Sequence, residues 1–196
     1  TKIKTDATLT PTFFFLFIIA VMLNEQIIQG CKDRQGKAQR QLYELVAGRM
    51  MGICLRYSKD DEEAKDLLQE GFIKVFQQID AFRGEGSFEG WIKKIFINTA
   101  LESIRKKKLL TQPLDDEEDA SDNFLIQENK LEAKELLQMI RKLPDGYRVV
   151  FNLYAIEGFN HKEIAQQLNI TEGTSKSQYA RARQFLQKML TEEKVK

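Results

Sequence analysis

From Glu25 onward the apolar residues recur three and four apart and nowhere alternate with the two-residue rhythm of a strand. A chain patterned this way buries its apolar surface by packing helix faces, so the expected fold is all-α. Leu42, Leu45, Val46, Met50, Ile53, Cys54 and Tyr57 make one stripe. A second helix starts with Ser58 and the acids Asp60, Asp61, Glu62 and Glu63, which suit a cap and a first turn. Its buried face carries Ala64, Leu67, Leu68, Phe72, Val75, Phe76 and Ile79, and it should end near Ala81. A glycine-bearing loop at 83–90 (RGEGSFEG) precedes a third long helix, marked by Trp91, Ile92, Ile95, Phe96, Thr99 and Ile104 and closed by the basic run 105–108.

The helical period then stops. Between Leu109 and about Asn123 it is replaced by Pro113 and a run of acids, the composition of a linker and not of a packed element. Patterning returns with Leu131, Leu136, Leu137, Ile140 and Leu143, breaks at Pro144–Gly146, and resumes with Val149, Val150, Leu153 and Tyr154 before Gly158. Two small helical domains, 24–108 and 131–196, are therefore expected on either side of a flexible acidic linker, 109–130.

Charge supports the same division. The formal net charge is only +1, which by itself suggests no nucleic-acid partner. The distribution is uneven: residues 89–108 hold six Lys/Arg against two Glu, 111–128 hold seven acids and no base, and 173–188 hold four bases and no acid. Two basic patches thus flank an acidic strip.

Phe13 to Leu23 is an unbroken apolar run of eleven residues. That is too short to span a bilayer, which takes about 20 residues, and no small-residue cleavage site follows it. Residues 1–23 are expected to lie outside the fold, as upstream translated sequence or a mis-assigned start ahead of Met22, with a membrane tether as the rival reading. Cys31 and Cys54 lack the companions of a zinc site, and His161 is the single histidine, so no metal or other cofactor is expected. Cys54 falls on the first apolar stripe and reads as a core residue.

The most informative stretch is 160–189, NHKEIAQQLNITEGTSKSQYARARQFLQKM. Asn160 and Glu163 form a capping box for a short helix that buries Ile164, Ala165 and Leu168; Asn169 and Ile170 turn the chain, and Thr171 caps a second helix. Tyr179, Ala182, Phe185, Leu186 and Met189 hold that helix on its domain, leaving Lys176, Ser177, Gln178 and Arg181 on the other face with Thr174 at its start. Gln and Arg bond base edges, while Ser and Lys reach bases or phosphates, which is the chemistry of a recognition helix in the major groove. Arg183 and Lys188 would hold the backbone. A solvated basic helix face is the plainer alternative, and cap, turn and basic face falling in this order weigh against it.

A helix-turn-helix does not define a class of DNA-binding protein, but the longer run 143–183, LPDGYRVVFNLYAIEGFNHKEIAQQLNITEGTSKSQYARAR, resembles sigma region 4 of extracytoplasmic-function sigma factors. Upstream, LYELVAGRMMGICLRYSKDDEEAKDLLQEGFIKVFQQIDAFRGEGSFEGWIKKIFINTALESIRKK is similar to sigma region 2 of that family, and the wording of both resembles versions common in Bacteroidetes. The resemblance implies a transcription initiation factor that binds core RNA polymerase and recognises promoter −10 and −35 elements. It implies that Asp66, Gln69 and Glu70 dock on the clamp helices of the polymerase largest subunit, although a polar face opposite Leu67, Leu68 and Phe72 is also what an ordinary solvated helix shows. It implies that Phe88, Lys93, Asn98, Arg105 and Lys106 capture the −10 strand, where unpaired bases gain on the order of 1–3 kcal/mol each by stacking and cations neutralise phosphates. Trp91 matches too but lies on the apolar stripe, so a core place is expected for it. Glu102 stands where many relatives carry Asp or Asn. By the same likeness Thr174, Lys176, Ser177, Gln178, Arg181 and Arg183 read the −35 duplex. The acidic residues 115–119 would thread toward the RNA exit path or serve as a solvated spacer.

Promoter DNA and core polymerase are thus the expected partners, in the cytoplasm. A membrane-bound anti-sigma factor is the expected regulator, and no small-molecule substrate is implied. A helix-turn-helix regulator that binds operator duplex without polymerase remains the alternative. An enzyme finds no support in the residues, which offer one histidine, no paired-cysteine site, no phosphate-cradling loop and no triad.

Overall fold

The computed structural model describes residues 25–110 and 133–193, and among them every regular element is helical. The apolar extension 1–23 and most of the acidic linker lie outside the described residues. The N-terminal half holds α1 (residues 25–32), α2 (Gly36–Tyr57), α3 (Asp61–Gln78) with a 3-10 turn at Ile79–Ala81, and α4 (Phe88–Leu110). The C-terminal half holds α5 (Ala133–Lys142), α6 (Asp145–Phe151) running into a π-helical turn (Asn152–Ile156), α7 (His161–Leu168) and α8 (Glu172–Glu193).

The α2 stripe packs as the spacing requires: Leu42, Val46, Met50, Ile53, Cys54 and Tyr57 are buried. Leu45 is not, being 48% exposed. At 3.6 residues per turn it points roughly 120° away from the centre of that stripe, so its three-residue spacing from Leu42 was misleading. The cap of α3 is Asp60, whose side chain accepts from the Glu63 N–H at 2.8 Å, while Glu63 reaches back to the Lys59 N–H. Ser58 is instead the fully buried C-cap of α2. In α5 the buried face is Met139 and Ile140, continued by Leu143, while Leu136 is 40% exposed.

The second core, of Met139, Leu143, Ala182 and Leu186, holds α5 and α8 together. Arg148 of α6 is 1% exposed, and its two terminal nitrogens donate to the Leu143 carbonyl at 3.0 Å, the Arg141 carbonyl at 3.3 Å and Asp145 Oδ1 at 2.6 Å, while its Nε is buried without a partner. A guanidinium buried this way is tolerable only because it caps carbonyls at the end of α5 that lack helical partners.

The two halves are not separate bodies. Val149, Val150, Leu153 and Ile164 of the C-terminal half belong to the same buried cluster as the N-terminal helices. Polar groups register the contact: Asn152 Nδ2 donates to the Arg56 carbonyl at 2.9 Å, Arg141 Nε to the Leu55 carbonyl at 3.2 Å, and Arg141 pairs with Asp61 at 2.7 Å. The patterning of either half alone gives no sign of this junction.

The helices α3 and α4 cross at Gly71, where a Cβ would drive into the Phe96 ring. Alanine is a better helix former by about 1 kcal/mol, but overpacking a filled core costs about 1–3 kcal/mol, so the clash wins. Gly71→Ala should lower stability by about 1–2 kcal/mol in urea denaturation. A variant more stable than the wild type would show that the crossing relaxes freely.

Candidate nucleic-acid interface

The helix-turn-helix is built by local chemistry. Asn160 Oδ1 accepts from the Glu163 N–H at 2.9 Å and Glu163 accepts from the Asn160 N–H at 2.8 Å, so the capping box is complete. Asn169 ends α7 with φ 55°, a left-handed conformation that asparagine tolerates, and Thr171 Oγ1 then accepts from the Thr174 N–H at 3.0 Å to start α8. Ile164 and Ala165 are buried, as are Ala182 and Leu186, whereas Phe185 is 40% exposed and contributes less to seating α8 than its spacing suggested.

On the first turns of α8, Lys176 and Ser177 are exposed, and Thr174, Gln178, Arg181 and Arg183 are half-exposed. Lys176 pairs with Glu172 at 2.8 Å, Ser177 Oγ donates to the Thr174 carbonyl, and the Gln178 amide lies over Gly146 of α6. The Arg183 guanidinium stands 5.9 Å from the Tyr179 ring centroid. One determinant escaped the sequence reading. Ser175 is fully buried and its Oγ is 3.0 Å from His161 Nδ1, which ties the start of the recognition helix to the start of α7. Tyr154 stacks on His161 with ring centroids 4.3 Å apart and touches Tyr179 at 4.5 Å.

The residues expected to meet the −10 strand lie along α4. Phe88 is partly buried against Phe82 and Trp91, with the Phe88 and Trp91 rings nearly parallel at 5.9 Å, so it helps to build an aromatic corner beside the glycine loop. Asn98, Arg105 and Lys106 are exposed. Lys93 Nζ pairs with Glu157 at 2.5 Å, Asn98 Oδ1 accepts from Gln167 Nε2 at 3.3 Å, and Arg105 donates to the Gln167 carbonyl. Three of these five residues therefore hold groups of the C-terminal half. Glu157 and Gln167 carried no sequence signal, since Glu157 and its other partner Arg56 stand 101 positions apart.

Asp66 and Gln69 project from α3 into solvent and Glu70 is half-exposed. Asp66 and Glu70 line an acidic groove with Asp60, Glu62 and Glu63. Lys74 bridges Glu70 at 3.1 Å and Glu102 of α4 at 2.7 Å, and its hydrogen bond holds the Glu102 carboxyl below the usual carboxylate range. Among the described residues no group of His, Cys, Asp and Glu is placed to hold a metal ion, and no helix is long and apolar enough to cross a membrane.

Two family models match the chain: "Sigma-70 region 2" over residues 42–109 and "Sigma-70, region 4" over residues 133–186. The ECF RNA polymerase sigma factor SigW of Bacillus subtilis is 31% identical over 184 residues, covering 87% of this chain and 97% of that protein. The RNA polymerase sigma-H factor of Pseudomonas aeruginosa is 27% identical over 189 residues, covering 86% and 96%. Among solved structures, the sigma factor RpoE from Bartonella quintana, crystallised with the anti-sigma factor NepR, shares the fold with a TM-score of 0.50 at 23% identity, over 78% of this chain and 96% of that one.

Burial, and next the Lys176 charge, push the His161 imidazole below its ordinary pKa. The folded domain therefore favours neutral His161, and as pH falls through about 6.5 the unfolded chain takes the proton first, so stability is lost on acidification. Between roughly pH 7 and 5 the melting temperature of the wild type should fall more steeply than that of His161→Gln. Parallel curves would mean that the imidazole feels no such environment.

Proposed function

The chain belongs to the ECF RNA polymerase sigma factors, and on that footing we propose which of its residues do which part of the work. As a sigma factor it binds core RNA polymerase and directs promoter-specific initiation through −10 and −35 elements; it is a DNA-binding initiation factor rather than an enzyme. One observation carries this over an operator-binding regulator: both sigma regions are present in order, and the relatives match along nearly their whole length. A regulator would need only the second.

Thr174, Lys176, Ser177, Gln178, Arg181 and Arg183 read the −35 duplex. The support is the exposed or half-exposed edge of a capped recognition helix, with Arg181 and Gln178 for base edges and Lys176 for phosphate. Lys93, Asn98, Arg105 and Lys106 take the −10 strand along α4, and Phe88 shapes the aromatic corner from which a base is held. Asp66, Gln69 and Glu70 dock on the polymerase clamp from the open side of α3. The factor works in the cytoplasm, where polymerase and promoter are, and a membrane-bound anti-sigma factor is its natural negative regulator.

The test separates the surfaces. Arg181→Ala should cost about 1–3 kcal/mol at its base step, roughly 5- to 150-fold in transcription from a −35-dependent promoter, while co-purification with core polymerase is unchanged. Equal loss of core binding would mean that the groove-facing side of α8 has been misplaced. Changing Gln69 and Glu70 together to Ala should do the reverse, weakening core capture at unchanged melting temperature. Specific binding of promoter duplex by the purified chain, with no effect on core-dependent transcription, would overturn the sigma assignment itself.

A further inference from the structure

The first helix, α1, and the turn that follows it grip the chain just ahead of the glycine loop. Ile27 and the fully buried Cys31 seat α1 in the core, and Gly30 lies so close to α2 that a Cβ there would meet the Ala38 Cβ at 2.6 Å. From this seat two cations reach the segment that leads out of α3. Lys32 Nζ donates to the Phe82 carbonyl at 3.1 Å in a partly buried bond. Arg34 donates to the Phe76 carbonyl at 2.5 Å and pairs with Asp80 at 2.7 Å. It does so from a left-handed backbone, φ 59°, which an arginine seldom adopts and which persists only where neighbouring contacts hold it. Beyond Phe82 the chain turns through Gly84 and Gly86, both at positive φ, before α4 begins at Phe88.

Phe82 is the ring on which the aromatic corner is built. It is 8% exposed and touches both Phe88, at 4.9 Å between centroids, and Trp91, at 5.6 Å. We propose that Lys32 and Arg34 are positioning residues for the −10 base: by fixing the backbone from Phe76 to Phe82 they hold the corner in the shape that accepts a base out of the stack. The inference rests on the reading of Phe88 and its corner as the place where that base is held. A site of this kind works only while its walls keep their geometry to within about 0.5 Å, and a wall that adjoins a glycine loop needs support from outside the loop. An exposed pair such as Arg34 with Asp80 adds little to stability, so its effect falls on recognition more than on melting temperature. Lys32 and Arg34 both lie ahead of residues 42–109, which match sigma region 2, and neither needs to touch DNA to act.

The test uses the full chain assembled with core polymerase. The probe is the single-stranded −10 oligonucleotide of a promoter it transcribes, with copies in which one base at a time is removed to leave an abasic sugar. In fluorescence anisotropy the wild type should bind one of these copies at least fivefold more weakly than the intact strand. Lys32→Met keeps the length and removes the donor; Arg34→Gly removes the guanidinium and suits the left-handed backbone. Together they should shrink that ratio below twofold, while binding of the same abasic copy, co-purification with core and the melting temperature stay close to wild type. Lys32→Arg, which can still donate to the Phe82 carbonyl, should keep the ratio. A folded double variant with the wild-type ratio overturns the inference, and so does one that binds every copy more weakly by the same factor, as a merely structural role requires. If the double variant does not fold, Arg34→Gly alone decides: it should at least halve the ratio, and an unchanged ratio overturns the inference. Phe88→Ala reports separately on the corner. An undiminished ratio there, or no sensitive position in the wild type, removes the base-holding reading and the inference with it, whereas a ratio lost in Phe88→Ala and kept in the double variant sinks the inference alone.

Discussion

The last turn of α2 ends in carbonyls that a helix cannot satisfy from within, and the way they are met organises the molecule. Leu55 and Arg56 present theirs to Arg141 and Asn152 of the C-terminal half. The Arg56 side chain turns the other way, onto Glu157. Around these bonds Val149, Val150, Leu153 and Ile164 complete the N-terminal core. The apolar contact supplies most of the attraction, at roughly 25 cal/mol per Å² buried, and it is indifferent to register. Direction comes from the polar groups, each of which would be left buried and unpaired if the halves slipped by a turn.

Against that junction, the recognition helix is a self-contained device. Its caps lie within a few residues of the groups they satisfy, and Ser175 and His161, fourteen positions apart, lock α8 to α7. The hydrogen bonds that shape the first turn of α8 run between groups of the C-terminal half. The residues proposed for the −10 strand differ: Lys93, Asn98 and Arg105 stand on a well-packed helix of the N-terminal half, and each bonds a group of the C-terminal half.

This contrast explains what was legible in the sequence. Helix faces, the linker position, the capping box and the basic edge of α8 are short-range features, written in spacings of three and four residues. Leu45, Leu136 and Phe185 misled because an apolar residue at helical spacing can still sit at the rim of a stripe, and a one-dimensional period does not say where a neighbouring helix ends. Ser58 and Asp60 both suit a cap, and the backbone geometry chose Asp60. Glu157 was illegible for another reason. Next to Gly158 it reads as an ordinary helix end, and its meaning lies in Arg56, 101 positions away, and in a π turn that no residue type announces.

The α3 and α4 helices carry the residues proposed for polymerase docking and for the −10 strand respectively, and they pack closely against each other. Gly71 lets them approach until Phe96 fills the crossing, and Phe72 meets Phe96 edge-on at 5.3 Å. On the outside Lys74 spans Glu70 of α3 and Glu102 of α4, so the two helices share one cation. An exposed ion pair of this kind contributes little to stability, commonly under about 1 kcal/mol, but a shared cation fixes two side chains with respect to each other. The consequence is an asymmetry in the factor. The residues proposed for docking and for the −10 strand stand on two helices packed against each other, while those proposed for the −35 duplex ride on a second unit joined to them by polar bonds and a shared apolar cluster. The distance between the two proposed DNA-contacting sets therefore follows from where the second unit stands, and in this structure the junction around Arg56, Asn152 and Glu157 fixes it.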